Sequence, residues 1–263
     1  MAEPIPASGL SLSIEGAVAI IRLSRPAKRN ALSETMVAGL RELFATFPAS
    51  VRAVVIHGEG EHFCAGLDLS EVGGEPDLAA GIAHSLGWHR AFQEIEFGRV
   101  PVFTVLHGAV VGGGFELAAA SHIRIAERSA FFALPEGQRG IFLGGGGSVR
   151  IPRLIGVPLV QDMMLTGRSL SAEEARGAGA CQYLVDDGTG LALAKQLAAK
   201  AAGNADMTNF AVIHALPRIA EADPHIGYLT EALMASTAQN MPEAKARVRD
   251  FLAKRAAKVA RPD

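Results

Sequence analysis

Two acids stand in surroundings that acids usually avoid. Glu116 lies in "VVGGGFELAAA" (Val110 to Ala120), behind three consecutive glycines and inside an apolar run. Glu136 lies in "FFALPEGQRGIF", after an apolar run and Pro135 and just before a glycine. Burying a carboxylate is costly, and an apolar setting raises its pKa towards neutrality. Two such acids can supply a general acid and a general base. The glycines add a second chemical capacity. They let a ligand approach the backbone, and the first N–H groups of a helix are unpaired. Those donors carry the positive end of the helix dipole and can hold an oxyanion. If a helix begins near Gly113, residues 113 and 116 share a face, so donors and carboxylate stand together.

Each feature also has a plainer structural reading. Gly112 to Gly114 would make a tight strand-to-helix turn, Glu116 would cap the helix start, and Glu136 would be a surface turn residue. Nucleotide chemistry is a poor fit. "GAVVGGGFE" lacks the G-x-G-x-x-G spacing, and "GIFLGGGGSVR" has no lysine before Ser148, so neither is a dinucleotide or phosphate loop. His84, Trp88 and His89 match no metal motif; they could line a pocket, but read more simply as ordinary helix-surface and core residues.

Composition sets the frame for these residues. The chain has 263 residues, 49% hydrophobic and 20% charged, an ordinary balance for a globular protein with a sizeable core. A formal net charge of −2 gives no basic footprint for nucleic acid. The start "MAEPIPASGL" has no basic and apolar leader pattern, and apolar runs stop short of the roughly 20 residues a bilayer span needs. Two cysteines, Cys64 and Cys181, suit a reducing compartment, so the expected location is cytoplasmic, with no membrane partner.

The elements that must position the acids alternate in type. "VAIIRLSRP" reads as a strand ended by a proline turn. "SETMVAGLRELFATFP" follows as a helix with Met36, Val37, Leu40, Leu43, Phe44 and Phe47 on one stripe, Ser33 as N-cap and Pro48 as stop. "RAVVIHGEG" is a short strand and "EHFCAGLDLSEVGGEPD" a loop, with a helix over "PDLAAGIAHSLGWHRAFQEIEF". "VPVFTVLHGAVV" reads as one buried strand leading to the glycine triplet and its helix, and "HIRIAERSAFFALPEG" is again strand-like. Helical signals dominate after residue 150, interrupted by a short strand in "ACQYLVDDG". The last stripe comprises Val248, Phe251, Leu252, Ala256 and Val259. The alternation predicts an α/β fold, divided into a core over 1–195 and a helical appendage over 196–263.

Four segments, in order, resemble the crotonase (enoyl-CoA hydratase/isomerase) superfamily over nearly the whole chain. They are "SRPAKRNALS", "HFCAGLDL", "HGAVVGGGFELAAA" and "ALPEGQRGIFLGGGGSVRIPRLIG". The resemblance implies an α/β spiral of ββα turns with a C-terminal helical region that builds homotrimers, often paired into hexamers. It implies an acyl-CoA thioester substrate, with coenzyme A entering as part of that substrate and no metal or redox cofactor. The backbone N–H groups of Leu67 and Gly113 fall on the oxyanion hole. Glu116 and Glu136 fall on the two catalytic acids of the hydratase subgroup. Ala27, Lys28 and Arg29, with Ala65, Gly66 and Leu67, fall on the backbone that contacts CoA.

The expected reaction is addition of water across the 2,3 double bond of a 2-enoyl-CoA. The family also admits double-bond isomerisation, decarboxylation, thioester hydrolysis, or a non-catalytic RNA-binding or scaffold role. Leu143 stands where a proline is usual, His122 where aspartate is common, and "GGGGS" carries extra glycine. Arg139, if it reached Glu136, would keep that acid ionised.

Overall fold

The computed structural model describes residues 3–5, 8–71 and 77–255. The chain divides into two compact units, Met1–Ala202 and Gly203–Asp263. In the first, a seven-stranded sheet runs in the order β1 (Glu3–Ile5), β2 (Leu10–Glu15), β3 (Val18–Leu23), β4 (Ala53–Gly58), β5 (Val102–Leu106), β7 (Ile123–Glu127), β10 (Tyr183–Val185). The first three strands pair antiparallel and the rest parallel. A smaller sheet joins β6 (Ala109–Val111), β8 (Phe131–Ala133) and β9 (Leu170–Ser171). The parallel bridges Leu32–Leu67 and Cys64–Val110 extend this second layer. A strand in the large sheet, a short one in the small layer and a helix then repeat along the chain, most clearly in β5, β6 and α3 (Gly113–Ala120).

Both faces of the large sheet are covered, which is why its strands read as continuous apolar runs. One face, with Ile21, Val54, Ile56 and Leu106, packs in the main core with α1 (Glu34–Thr46) and α2 (Leu78–Glu96). The other, with Ile20, Val55, Phe103 and Val105, meets Ala194, Ala198 and Ala202 of α7 (Gly190–Ala202). Alanines spaced by four let this helix lie close to the strands. The expected division at 195/196 falls inside α7. Its C-terminal half belongs to the core because Ala198 and Ala202 are buried there, and the units divide after Ala202. The remaining helices of this unit are α4 (Gly147–Ile155), α5 (Val157–Thr166) and α6 (Ala172–Ala178).

The second unit is helical: α8 (Asp206–Phe210), α9 (Leu216–Glu221), α10 (Pro224–Asn240) and α11 (Pro242–Leu252). Of the expected last stripe, Val248, Phe251 and Leu252 stand on α11, while Ala256 and Val259 lie outside the described residues. Residues 72–76 of the expected loop also lie outside them. Ser33 caps α1 as expected, its hydroxyl accepting from the Met36 amide at 3.2 Å. "VPVFTVLHGAVV" is two strands, broken at His107 and Gly108, so that β5 joins the large sheet and β6 the small one.

Candidate active site

The glycine triplet solves a geometric problem where β6 turns into α3. Gly112 is the N-cap, with φ +50° and ψ −119°, a conformation a side chain would strain. It also leaves room: a Cβ there would lie 2.5 Å from Glu136 Oε1. The helix that follows is buried at all eight residues, as expected for one apolar on every side except at Glu116.

Glu116 does not cap its own helix. Its Oε1 accepts the amide N–H groups of Gly145 (2.9 Å) and Gly147 (2.8 Å), from the glycine-rich loop that starts α4. Close approach requires this loop to be bare, since a Cβ on Gly147 would lie 2.6 Å from Glu116 Cγ. Burial pushes the Glu116 carboxyl up to about 7, with the charge of Glu136 adding to the rise; the two amides and Arg150 oppose it. Glu136 is also raised by burial. Arg139 lines the same cavity and pulls Glu136 down, but burial outweighs it. Glu136 Oε2 is buried and has no hydrogen-bond partner among the described residues. A buried oxygen left in this state is costly in a folded protein unless something else occupies it.

Both acids line a cavity of about 450 Å³ together with Ala65, Gly66, Leu67, Gly112 and Gly113. A Cβ placed on Gly113 would fall 3.3 Å from the Leu67 amide nitrogen, so the two backbone segments lie close together at the cavity. Neither donates a hydrogen bond among the described residues. Two residues with free amides and two carboxyls with raised pKa therefore line one space. Such a set can stabilise charge growing on a carbonyl oxygen while a proton moves nearby.

Ala27, Lys28 and Arg29 form an exposed turn that does not line this cavity. It is tied to the cavity edge, since the Arg29 carbonyl accepts from the Ala65 amide at 3.0 Å. Asn30, fully buried, pins the turn by donating to the carbonyls of Glu59 (2.9 Å) and His62 (2.7 Å). Asp68 closes the other side, pairing with Arg25 at 2.8 Å and Lys28 at 3.8 Å. The Ser70 hydroxyl and Arg25 hold the Asp68 carboxyl down at about 2. These positioning residues sit inside the quoted motifs, but their types alone do not reveal partners far along the chain.

One face of α2 forms the long wall of the cavity. Asp77, at its N-cap, with Ala80, Gly81, His84, Ser85 and Trp88, follows the helical repeat. His84 and Trp88 are thus part of the cavity, Trp88 being buried in the main core as well; His89 does not line it. Glu34 Oε1 joins the two, accepting from His84 Nδ1 at 2.7 Å and Trp88 Nε1 at 2.9 Å. The sequence hides this, because Glu34 lies 54 residues before Trp88. His122 is structural: its Nδ1 accepts from the Val102 amide (2.9 Å), leaving Nε2 to donate to the Glu96 carbonyl (3.1 Å). Leu143 is buried in the main core. Among the described residues no group of three or more His, Cys, Asp or Glu side chains is placed to hold a metal ion.

The model of the enoyl-CoA hydratase/isomerase family matches residues 13–260. The chain belongs to the enoyl-CoA hydratase/isomerase family. A crystal structure of a Rhodopseudomonas palustris protein assigned as an enoyl-CoA hydratase superimposes with a TM-score of 0.92 at 55% identity, covering 94% of this chain and 95% of that one. The carnitinyl-CoA dehydratase of Proteus mirabilis is 36% identical over 203 residues, 75% of this chain and 76% of that protein. The peroxisomal bifunctional enzyme of Danio rerio is 36% identical over 200 residues, 72% of this chain. The chain spans 26% of that larger relative's length. This family member has the ββα architecture of its relatives and a C-terminal helical region.

Proposed function

We propose that this family member is an enoyl-CoA hydratase that adds water across the 2,3 double bond of a 2-enoyl-CoA thioester. The observation that carries the reading is the pairing of two buried carboxyls with two free amides on one cavity. The thioester oxygen would sit against the N–H groups of Leu67 and Gly113. Water would sit between Glu116 and Glu136, where the unpartnered Glu136 Oε2 offers it a place. The water oxygen bonds to C3 as one carboxylate takes its proton. The C2–C3 π pair passes to C2 and the thioester, placing enolate charge on the oxygen held by the amides. The other carboxyl, protonated, then delivers its proton to C2. Two acids that repel each other's charge share one proton readily, which suits this exchange. In other enzymes, losing one side-chain donor to an oxyanion costs roughly 3–4 kcal/mol.

The CoA moiety would run over the turn of Ala27, Lys28 and Arg29 and the segment of Ala65 to Leu67. CoA enters only as part of the substrate, with no further cofactor. The functional unit would be a homotrimer or a pair of trimers. Ile226, Leu229 and Leu233 are exposed apolar side chains on α10 that such an assembly would cover. No helix of the described residues is long and apolar enough to cross a membrane, and a cytoplasmic setting fits the two free, buried cysteines.

Turnover of a 2-enoyl-CoA in ¹⁸O-water tests the reading. A 3-hydroxyacyl product carrying one heavy oxygen is expected. A product of unchanged mass, with the double bond moved, would assign isomerisation instead.

A further inference from the structure

Buried Arg150 and half-buried Glu96 form an ion pair that the proposed reaction does not use. Arg150 is 7% exposed, and its Nε lies 2.6 Å from Glu96 Oε2. Neither residue lines the cavity. Taking a guanidinium out of water is costly, and Glu96 offsets the charge of this one. The guanidinium leads towards the site: Arg150 Nη1 donates to the Gly145 carbonyl at 3.0 Å, and the Gly145 amide donates to Glu116 Oε1. At the far end, Glu96 closes α2, and its carbonyl is held by His122, itself anchored to the start of β5.

We propose that Arg150 and Glu96 are paired positioning residues, orienting Glu116 through the backbone on either side of the Gly145 Cα while Glu96 offsets the Arg150 charge. The proposal rests on the hydratase reading for its consequence in turnover, but not for its geometry. The charged groups that bear on Glu116 are few. Glu136 faces it from the segment after β8, Arg150 from α4, and Glu96 stands behind Arg150 at the end of α2. Arg139 acts on Glu136, and His84 lines the same cavity from α2. An unbalanced Arg150 would therefore hold Glu116 ionised, and a missing one would favour its proton.

The two halves of the pair should act in opposite directions. Infrared difference titration, with E116Q as the blank, reads the Glu116 carboxyl directly, whether or not the protein turns over. Glu96→Gln should lower the Glu116 midpoint by roughly one pH unit, and Arg150→Met should raise it by a similar amount. The double variant Glu96→Gln/Arg150→Met should return it towards wild type, and it keeps the test open if Arg150→Met alone fails to fold. In turnover, the pH limb set by Glu116 should move the same way in each variant, with KM for the acyl-CoA changing less than kcat. Midpoints that stay fixed, or that move in one direction in both single variants, would overturn the proposal. Absence of hydration by the wild type, with the infrared shifts present, would instead remove only the hydratase reading.

Discussion

In the proposed reaction Glu116 can serve as an acid because it is badly placed for stability. Its carboxyl is raised to about 7 in the folded protein, against 4.5 in the unfolded chain. The folded state therefore holds this proton to higher pH, and the associated stability is present below about 4.5 and lost as pH rises through about 7. Glutamine has no such dependence, and its oxygen can still accept from Gly145 and Gly147. The Tm of E116Q relative to wild type should therefore increase between pH 5 and pH 8, by a few degrees for a chain of this size, measurable by calorimetry. A constant difference would show that Glu116 titrates normally. The same variant, and Glu136→Gln, should each lower kcat by roughly 10²–10⁴-fold while leaving acyl-CoA affinity within a few fold. Much of this was legible in the residues. Acids among apolar neighbours and glycines pointed to perturbed carboxyls and free amides. Asn30, Asp68, Glu34, Glu96 and Arg150 were not legible in role, because each takes its meaning from partners the fold brings from a distance.

Among the elements, the turn from β6 into α3 and the loop into α4 do the positioning. Gly112→Ala would strain a left-handed backbone and push against Glu136. Gly147→Ala would press on Glu116 across van der Waals space. Both should cost more in kcat than in Tm, because the displaced atoms are the carboxyls themselves; kinetics and melting measured on the same preparation check this. An equal loss of both would assign the glycines to folding alone. Helix α1, with its apolar stripe and Ser33 cap, and helix α2 follow from periodicity. Strand β2 is passed over by the sequence reading, although Leu10, Leu12 and Ile14 alternate with Ser11, Ser13 and Glu15. The break between β5 and β6 is hidden because both strands are apolar, and only the change of sheet at Gly108 separates them.

At the scale of the whole molecule, the chain forms two compact units, the spiral and a helical one. The sheet buries both faces, with α7 closing one of them, and none of its residues lines the cavity. Residue spacing could not reveal that α7 belongs to the core, since a helix of small residues looks the same at a surface or against a sheet. In the second unit, Leu229 and Leu233 expose apolar area that a second copy would cover. Leu229→Glu with Leu233→Glu should reduce the solution mass from a multiple of three chains to one, read by sedimentation; a wild type that sediments as a monomer would remove the trimer. The most direct measurement is the ultraviolet absorbance of the conjugated thioester when wild type, E116Q and E136Q meet short, medium and aryl 2-enoyl-CoA substrates. Rapid loss with wild type on at least one substrate, and near-complete retention with both variants, is expected from two carboxyls working on one water. Retention with wild type on every substrate, or loss at the wild-type rate in either variant, would contradict it.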